Sequence, residues 1–249
     1  MIAQLRSELL KQRSTRMTAV LLLWMLVLIV VIVLLHSFGL SAATLRVAAN
    51  QPKVYGWGTS IGALFAALLG ALSVSAEIRT GTIRPTLLVT PNRTLVVAAK
   101  MIAAAAGGAA IGLIAEALVA VIASAAFAIR GIPVAITAGN FVQMIAGGAA
   151  AAALWAALGT GVGAIVRSQV GAVVGLCVWL LLIETVLAGE IPAVGKYTPG
   201  ASAGALAGML QSATTLKLVA PGAGALLLAA YAALAVGAGA LATEKRDLG

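Results

Sequence analysis

Two carboxylates stand inside long apolar stretches of the sequence, where a charged side chain is costly. Glu116 lies in the third such stretch and Glu184 in the fifth. In hydrocarbon, a carboxylate is expected to face the interior of a helix bundle or to be protonated. Residues of this kind can carry protons or contact a cationic substrate. For Glu184 the alternative is that it lies near the membrane interface, close to Glu190, and is simply hydrated.

Other catalytic chemistry finds little support in the sequence. The single histidine, His36, is expected at the outer end of the first apolar stretch, and the single cysteine, Cys177, as a small buried side chain, so no metal-ligand cluster or internal disulfide is expected. No general base accompanies a nucleophilic serine. The Gly195-Lys196 pair is followed by Tyr197, whereas a phosphate-binding loop needs serine or threonine there. We therefore expect no enzyme acting with its own side chains, and no cofactor or metal bound by this chain.

The composition indicates a protein whose surface mostly faces lipid. Of the 249 residues, 62% are hydrophobic and 9% are charged, and the mean hydropathy is +1.10. A soluble domain has about 25% charged residues. The net charge of +9 could indicate nucleic acid, but the basic residues flank apolar stretches without interleaved aromatic residues, so orientation in a membrane explains them better and no nucleic-acid partner is expected.

The apolar stretches predict an all-α, polytopic fold in one membrane domain, residues 1–249. A hydrocarbon layer of about 30 Å needs about 20 apolar residues in a helix, and helices satisfy their own backbone there. Residues 1–17 have leucines on one helical face and basic residues between them, which predicts an amphipathic helix in the interface. Glycines spaced by four, such as Gly159 and Gly163, favour close helix packing. The six predicted spans cover residues 18–38, 56–76, 101–129, 140–166, 170–188 and 218–241.

The distribution of basic residues predicts the orientation. Lys and Arg are more numerous at the two termini and in the loop of residues 77–100 than in the segments that would lie on the other face. By the positive-inside rule, both termini and this loop are cytoplasmic. We therefore expect a multi-pass protein of a bacterial-type plasma membrane.

The loop of residues 77–100 has the most specific pattern in the chain. Gly81 is expected to interrupt the helix that leaves the membrane, and Pro85 suits the first turn of a new helix. Pro91 is expected to end that helix. The product would be a short helix parallel to the membrane, with a shape suited to a groove on a partner protein. The alternative is an ordinary solvated loop that carries positive charges.

This loop resembles the signature of ABC-2 type transporter permeases. In those proteins a Glu-x-x-x-Gly-Thr segment follows the second span, and a Leu-Leu-x-Thr-Pro turn, an arginine and a lysine follow it. The segment from Glu8 to Lys11 also resembles the elbow helix of these permeases. The short six-span subunits of drug, antibiotic-resistance and lantibiotic-immunity exporters are the most similar group. The residues that carry the resemblance in the loop are Glu77, Gly81, Thr82, Arg84, Leu87, Leu88, Thr90, Pro91, Arg93 and Lys100.

The resemblance implies that this chain is the permease subunit of an ABC exporter. A cytoplasmic coupling helix would contact a separate ATPase, which would bind ATP and magnesium. A second permease, identical or a sister subunit, would complete the translocation path for a hydrophobic or amphipathic substrate. The residues implied in coupling to the ATPase are Glu77, Arg79, Gly81, Thr82, Arg84, Leu87, Leu88, Pro91 and Arg93.

An alternative function follows from the two glutamates in apolar stretches. A proton-coupled secondary transporter would use Glu116 and Glu184 as proton carriers or in the substrate path.

The segment of residues 190–217 contains proline and several glycines. Its apolar stretch Ala201–Leu210 suggests that the segment dips back into the membrane as an outer gate.

Overall fold

The computed structural model describes residues 2–82, 93–209 and 216–245, and every secondary-structure element in these ranges is helical. A 3₁₀ turn covers Ala48–Asn50, and a π-helical turn covers Trp179–Ile183. The α-helices are α1 (Ile2–Ser14), α2 (Arg16–Gly39), α3 (Ala42–Arg46), α4 (Pro52–Tyr55), α5 (Trp57–Thr80), α6 (Arg93–Ile129), α7 (Ala138–Val166), α8 (Gln169–Val178), α9 (Glu184–Glu190), α10 (Pro192–Gly195), α11 (Pro199–Leu206) and α12 (Pro221–Lys245).

Six helical segments in the described ranges are long and apolar enough to cross a membrane, as the sequence predicts. They are Arg16–Gly39, Ala48–Thr80, Leu95–Ile129, Ala138–Val166, Gln169–Glu190 and Pro221–Thr243. The all-α prediction is thereby confirmed, and the six segments fit a multi-pass membrane protein. Helix α6 begins at Arg93, ahead of the predicted span start at residue 101. The charged residue Lys100, which directly precedes the predicted start, is buried and lies within the helix.

Helices α5 and α7 form the centre of the bundle. Every residue of α5 from Ile61 to Leu72 is buried. The two backbones approach closely because glycines face carbonyl groups across the contact. A Cβ atom added at Gly159 would overlap the carbonyl oxygen of Ala67, and one added at Gly70 would overlap that of Ala156. The small-residue pattern in the sequence therefore forms a helix interface within the chain.

We define the base of the bundle as the end where α1 lies, where α5 ends and where α6 begins. At the opposite end, Gln51 is completely buried and joins α3 to the loop that follows α6. Its Nε2 donates to the carbonyl oxygens of Leu45 (3.1 Å) and Pro133 (2.7 Å), and its Oε1 accepts from the Ala135 amide (2.8 Å). These bonds satisfy the polar atoms of the buried Gln51 amide.

The segment predicted to form an outer gate folds at this opposite end. Helix α11 packs against α12, and its residues from Ser202 to Ala205 are buried. The apolar patch Ala201–Leu210 thus contains the buried face of a short helix, although Leu210 itself lies outside the described residues. The Pro192 and Pro199 residues that interrupt the sequence here each occupy the first turn of a short helix.

A single methyl group tests the α5–α7 contact. We expect Gly159→Ala to lower the melting temperature of the detergent-solubilised protein, because overpacking against a backbone carbonyl typically costs about 1–3 kcal/mol. Gly175→Ala is the matched control, since no atom lies within 4 Å of a Cβ added at that exposed helical position. Equal melting temperatures for the two variants would contradict the close contact.

Candidate functional site

Four charged side chains form a closed network of ion pairs at the base. The Nζ of Lys11 lies 2.8 Å from Glu8 Oε1 and 2.9 Å from Glu77 Oε1. The Nζ of Lys100 lies 2.8 Å from Glu8 Oε2 and 2.8 Å from Glu77 Oε1. Each ammonium therefore contacts both carboxylates, and the two positive and two negative charges balance.

Burial makes this balance necessary. The side chains of Lys100, Glu8 and Glu77 are 2%, 5% and 13% exposed, whereas that of Lys11 is 42% exposed. A buried charge without a partner is costly, so Lys100 can occupy this position only because the two carboxylates face it. Lys100 Nζ also lies 3.4 Å from the carbonyl oxygen of Ser73, which accepts a further hydrogen bond.

The environment of Lys11 favours its charged form. Burial acts to lower the pKa of this ammonium, but its hydrogen bonds to Glu8 and Glu77 act in the opposite direction, and the pKa lies above its ordinary value. The contribution of Lys11 to stability is therefore fully present at neutral pH. It is lost only when the pH rises above the ordinary pKa of a lysine.

The network joins α1 to α5 and α6, which lie far from it in the sequence. Glu8 and Lys11 are on α1, one turn apart, Glu77 is in the last turn of α5, and Lys100 is in the second turn of α6. Residues 83–92 connect α5 to α6 and lie outside the described residues. Both flanks of the predicted coupling helix are thereby held to each other and to α1.

Most described members of the predicted coupling set lie at the end of α5 or directly after it. Gly81 has a left-handed backbone (φ 71°) and caps the helix with a hydrogen bond from its amide to Ile78 O, which matches the predicted interruption. Arg79 and Thr82 are exposed, and the Thr82 hydroxyl lies 2.9 Å from that of Thr80. Arg93 begins α6. The other members of the set lie outside the described residues: Arg84, Leu87, Leu88 and Pro91.

Glu116 lies in a tightly packed junction of α5, α6 and α7. Its side chain is 2% exposed, and the Thr59 hydroxyl donates to its Oε1 at 2.6 Å. Glycines make room for the carboxyl group, since a Cβ atom added at Gly58 would lie 2.5 Å from Glu116 Oε2, and one added at Gly148 would overlap Oε1. The gap beside Glu116, next to Tyr55, has no room for a water molecule. In this conformation the carboxyl group is a packed polar contact between helices.

Glu184 holds the segment after α9 to the bundle. Its Oε1 accepts hydrogen bonds from Trp179 Nε1 (2.7 Å) and the Gly200 amide (3.0 Å), and its Oε2 accepts one from the Thr198 hydroxyl (3.4 Å). Glu184 is 8% exposed, so its carboxyl group is largely buried and hydrogen-bonded within the protein. It lines a cavity of about 500 Å³ together with Ser60 and residues of α9 and α11.

A π-helical turn positions Glu184. Its backbone amide donates to the carbonyl oxygen of Trp179, five residues earlier, and the same spacing brings the two side chains into hydrogen-bond contact. Turns of this kind occur often at functional sites. No local pattern in the sequence indicates a role for Trp179, Thr198 or Gly200. A spacing of five does not belong to the ordinary helical pattern, and Thr198 and Gly200 come from a later segment.

The ion-pair network predicts a large effect of a neutral residue at position 100. We expect Lys100→Met to destabilise the protein by about 3–5 kcal/mol, because two buried carboxylates would share only Lys11. The double variant Lys100→Met/Glu8→Gln should recover part of this loss, since it removes one of the carboxylates. Melting in detergent measures both effects.

The control for this experiment is Arg79→Gln, which removes an exposed cation two residues after Glu77. Exposed charges contribute little to stability, so this variant should melt close to the wild type. The network would have no energetic importance if Lys100→Met also melted like the wild type.

The hydrogen bonds of Glu184 predict a local change at α11. In a Cys177→Ser background, a Ser202→Cys reporter is expected to resist a soluble maleimide because Ser202 is completely buried. Adding Glu184→Ala should make this cysteine reactive, since it removes the acceptor for Trp179, Thr198 and Gly200. Glu190→Ala removes an exposed carboxylate as the control, and equal labelling in both backgrounds would show that Glu184 does not hold α11.

The chain matches no family model and no curated protein. Three arrangements of the described residues could support a function: the ion-pair network at the base, the packed Glu116 junction, and the cavity lined by Glu184. Of these, only the network adjoins the loop that has the specific sequence pattern.

Proposed function

We propose that this chain is the membrane permease subunit of an ABC exporter and that separate ATPase subunits dock at the loop of residues 77–100. The observation that carries the proposal is the network of Glu8, Lys11, Glu77 and Lys100. It connects the N-terminal helix to both flanks of the loop that resembles the ABC-2 signature. An element that receives force from a partner needs such a rigid attachment to the membrane helices.

In this proposal, α1 is the elbow helix and residues 83–92 contain the coupling helix. Movement of the ATPases on binding and hydrolysing ATP with magnesium would displace the coupling helix as a rigid body. The displacement would pass to α5 through Glu77, to α6 through Lys100 and to α1 through Glu8. The chain itself would bind neither ATP nor a metal cofactor.

The remaining parts of the proposal follow from the same resemblance. A second permease, identical or a sister subunit, would complete the translocation path. The transporter would lie in a bacterial-type plasma membrane with both termini in the cytoplasm, and it would export a hydrophobic or amphipathic molecule. The predominance of Lys and Arg at the termini and in the loop of residues 77–100 supports this orientation.

A proton-coupled secondary transporter is the second candidate, and the cavity beside Glu184 is the observation that favours it. A carboxylate at the edge of a cavity of about 500 Å³ could exchange a proton or bind a cation. Glu116 supports this function less, because Gly58 and Gly148 enclose its carboxyl group. The helices would have to separate before a proton could pass through Glu116.

Affinity purification of the tagged chain from its native membranes distinguishes the two functions. We expect an ATPase with a phosphate-binding loop to co-purify with the wild type. The charge reversals Arg79→Glu and Arg84→Glu together should remove the ATPase, because they change the sign of the proposed docking surface while leaving the four-residue network intact.

The matched control reverses two cations at the other end of the bundle, Arg46→Glu and Lys53→Glu, both of which are exposed. This control should retain the ATPase. If instead the wild-type chain purifies alone and proteoliposomes that contain only this chain couple substrate movement to a proton gradient, the exporter proposal is wrong and the secondary transporter is supported.

A further inference from the structure

A groove of about 810 Å³ lies at the base, in the corner between α1, the start of α2 and the middle of α6. Its volume is within the range of pockets that hold small molecules, about 300–1,000 Å³. The floor is apolar and is formed mainly by α2, α5 and α6. The residues that form it include Leu22, Leu69, Ala110, Ile111 and Ile114.

The rim of this groove carries positive charge. Arg6 and Arg13 line it from α1, seven residues apart and therefore on the same helical face, with Leu9 and Leu10 between them. Both arginines are exposed. In the described part of the chain, the ion pairs at the base involve Lys11 and Lys100, and neither arginine contacts a carboxylate. Two guanidinium groups are thus available to an anion at the mouth of an apolar groove.

The groove opens onto the surface that would face lipid. Ile114 on α6 is 43% exposed, and its neighbour Leu113 and the more distant Val121 are also exposed on that helix. On α2, the exposed residues Leu23 and Trp24 follow Leu22. An acyl chain in the groove would therefore be continuous with the hydrocarbon layer, while a headgroup at the rim would lie beside α1.

We propose that this groove binds a phospholipid with an anionic headgroup from the adjoining leaflet. The headgroup phosphate would accept hydrogen bonds from Arg6 and Arg13, which suit a phosphate better than lysine would, and one acyl chain would lie along Ile111 and Ile114. The ion-pair network fixes this site, because Glu8 holds α1 against α6 between the two arginines. Binding of a lipid in this groove does not require an ATPase.

Native mass spectrometry of the full chain in detergent tests the proposal with an equimolar mixture of phosphatidylglycerol and phosphatidylcholine that carry identical acyl chains. We expect the wild type to retain phosphatidylglycerol preferentially. Each arginine near an anionic headgroup should contribute about fivefold, so Arg6→Gln/Arg13→Gln should reduce the preference by about 25-fold. Arg16→Gln is the matched control, because Arg16 is an exposed arginine close in sequence that does not line the groove.

A second pair of variants tests the apolar part of the site. Ala110→Phe should fill the groove and reduce retention of both lipids, whereas Ala117→Phe adds the same group to an exposed position of α6 outside the groove and should change neither. All variants should keep the elution volume and melting temperature of the wild type. Equal retention of the two lipids by the wild type, or equal effects of Arg16→Gln and the double arginine variant, would overturn the proposal.

Discussion

The ammonium group of Lys100 lies where three helices meet, and its position requires two carboxylates within hydrogen-bond distance. Glu8 supplies one and thereby fixes α1 across the base, while Glu77 supplies the other and fixes the last turn of α5. Two other features depend on these contacts. The groove that carries Arg6 exists only while α1 stays in place, and the chain leaves α5 at Gly81, one turn after Glu77, in a direction set by that helix end.

This bundle buries the carboxyl groups of Glu116 and Glu184 in different ways. At the α5–α6–α7 junction, the absence of side chains on Gly58 and Gly148 creates the space that the Glu116 carboxyl group fills, so the polar group is part of the close packing. At the opposite end, Glu184 is held by three donors and lies beside a cavity. Of the two, the carboxylate at the cavity is the better placed to meet a solute, and the carboxyl group in the junction is the better placed to hold helices together.

Local patterns in the sequence predicted the six long helices, because the apolar stretches exceed the length needed to cross a bilayer, and they predicted the break at Gly81, because glycine adopts the left-handed conformation without strain. The spacing of Gly159 and Gly163 also indicated close packing. The contacts that define the candidate sites were beyond such patterns. Glu8 and Lys100 are 92 residues apart, and Glu184 meets Trp179 only through a π-helical turn. Each contact depends on how whole helices pack against one another, and the local periodicity of the sequence does not indicate this packing.

In the proposed transporter, α5 is the element best able to carry movement from the base to the opposite end. It bears Glu77 in its last turn and Thr59 in its first, and Thr59 donates to Glu116 of α6. Every residue of α5 from Ile61 to Leu72 is buried, and its backbone packs closely against that of α7 at Gly159. Because close-packed interiors resist gradual deformation, α5 and α7 should move as one body. Few residues of α2 and of the α8–α9 segment are buried in the protein. Sliding of α5 and α7 against these helices therefore breaks fewer tightly packed contacts. A force applied at the loop of residues 77–100 would then reach the Glu184 cavity through α5, whose first turns line it at Thr59 and Ser60.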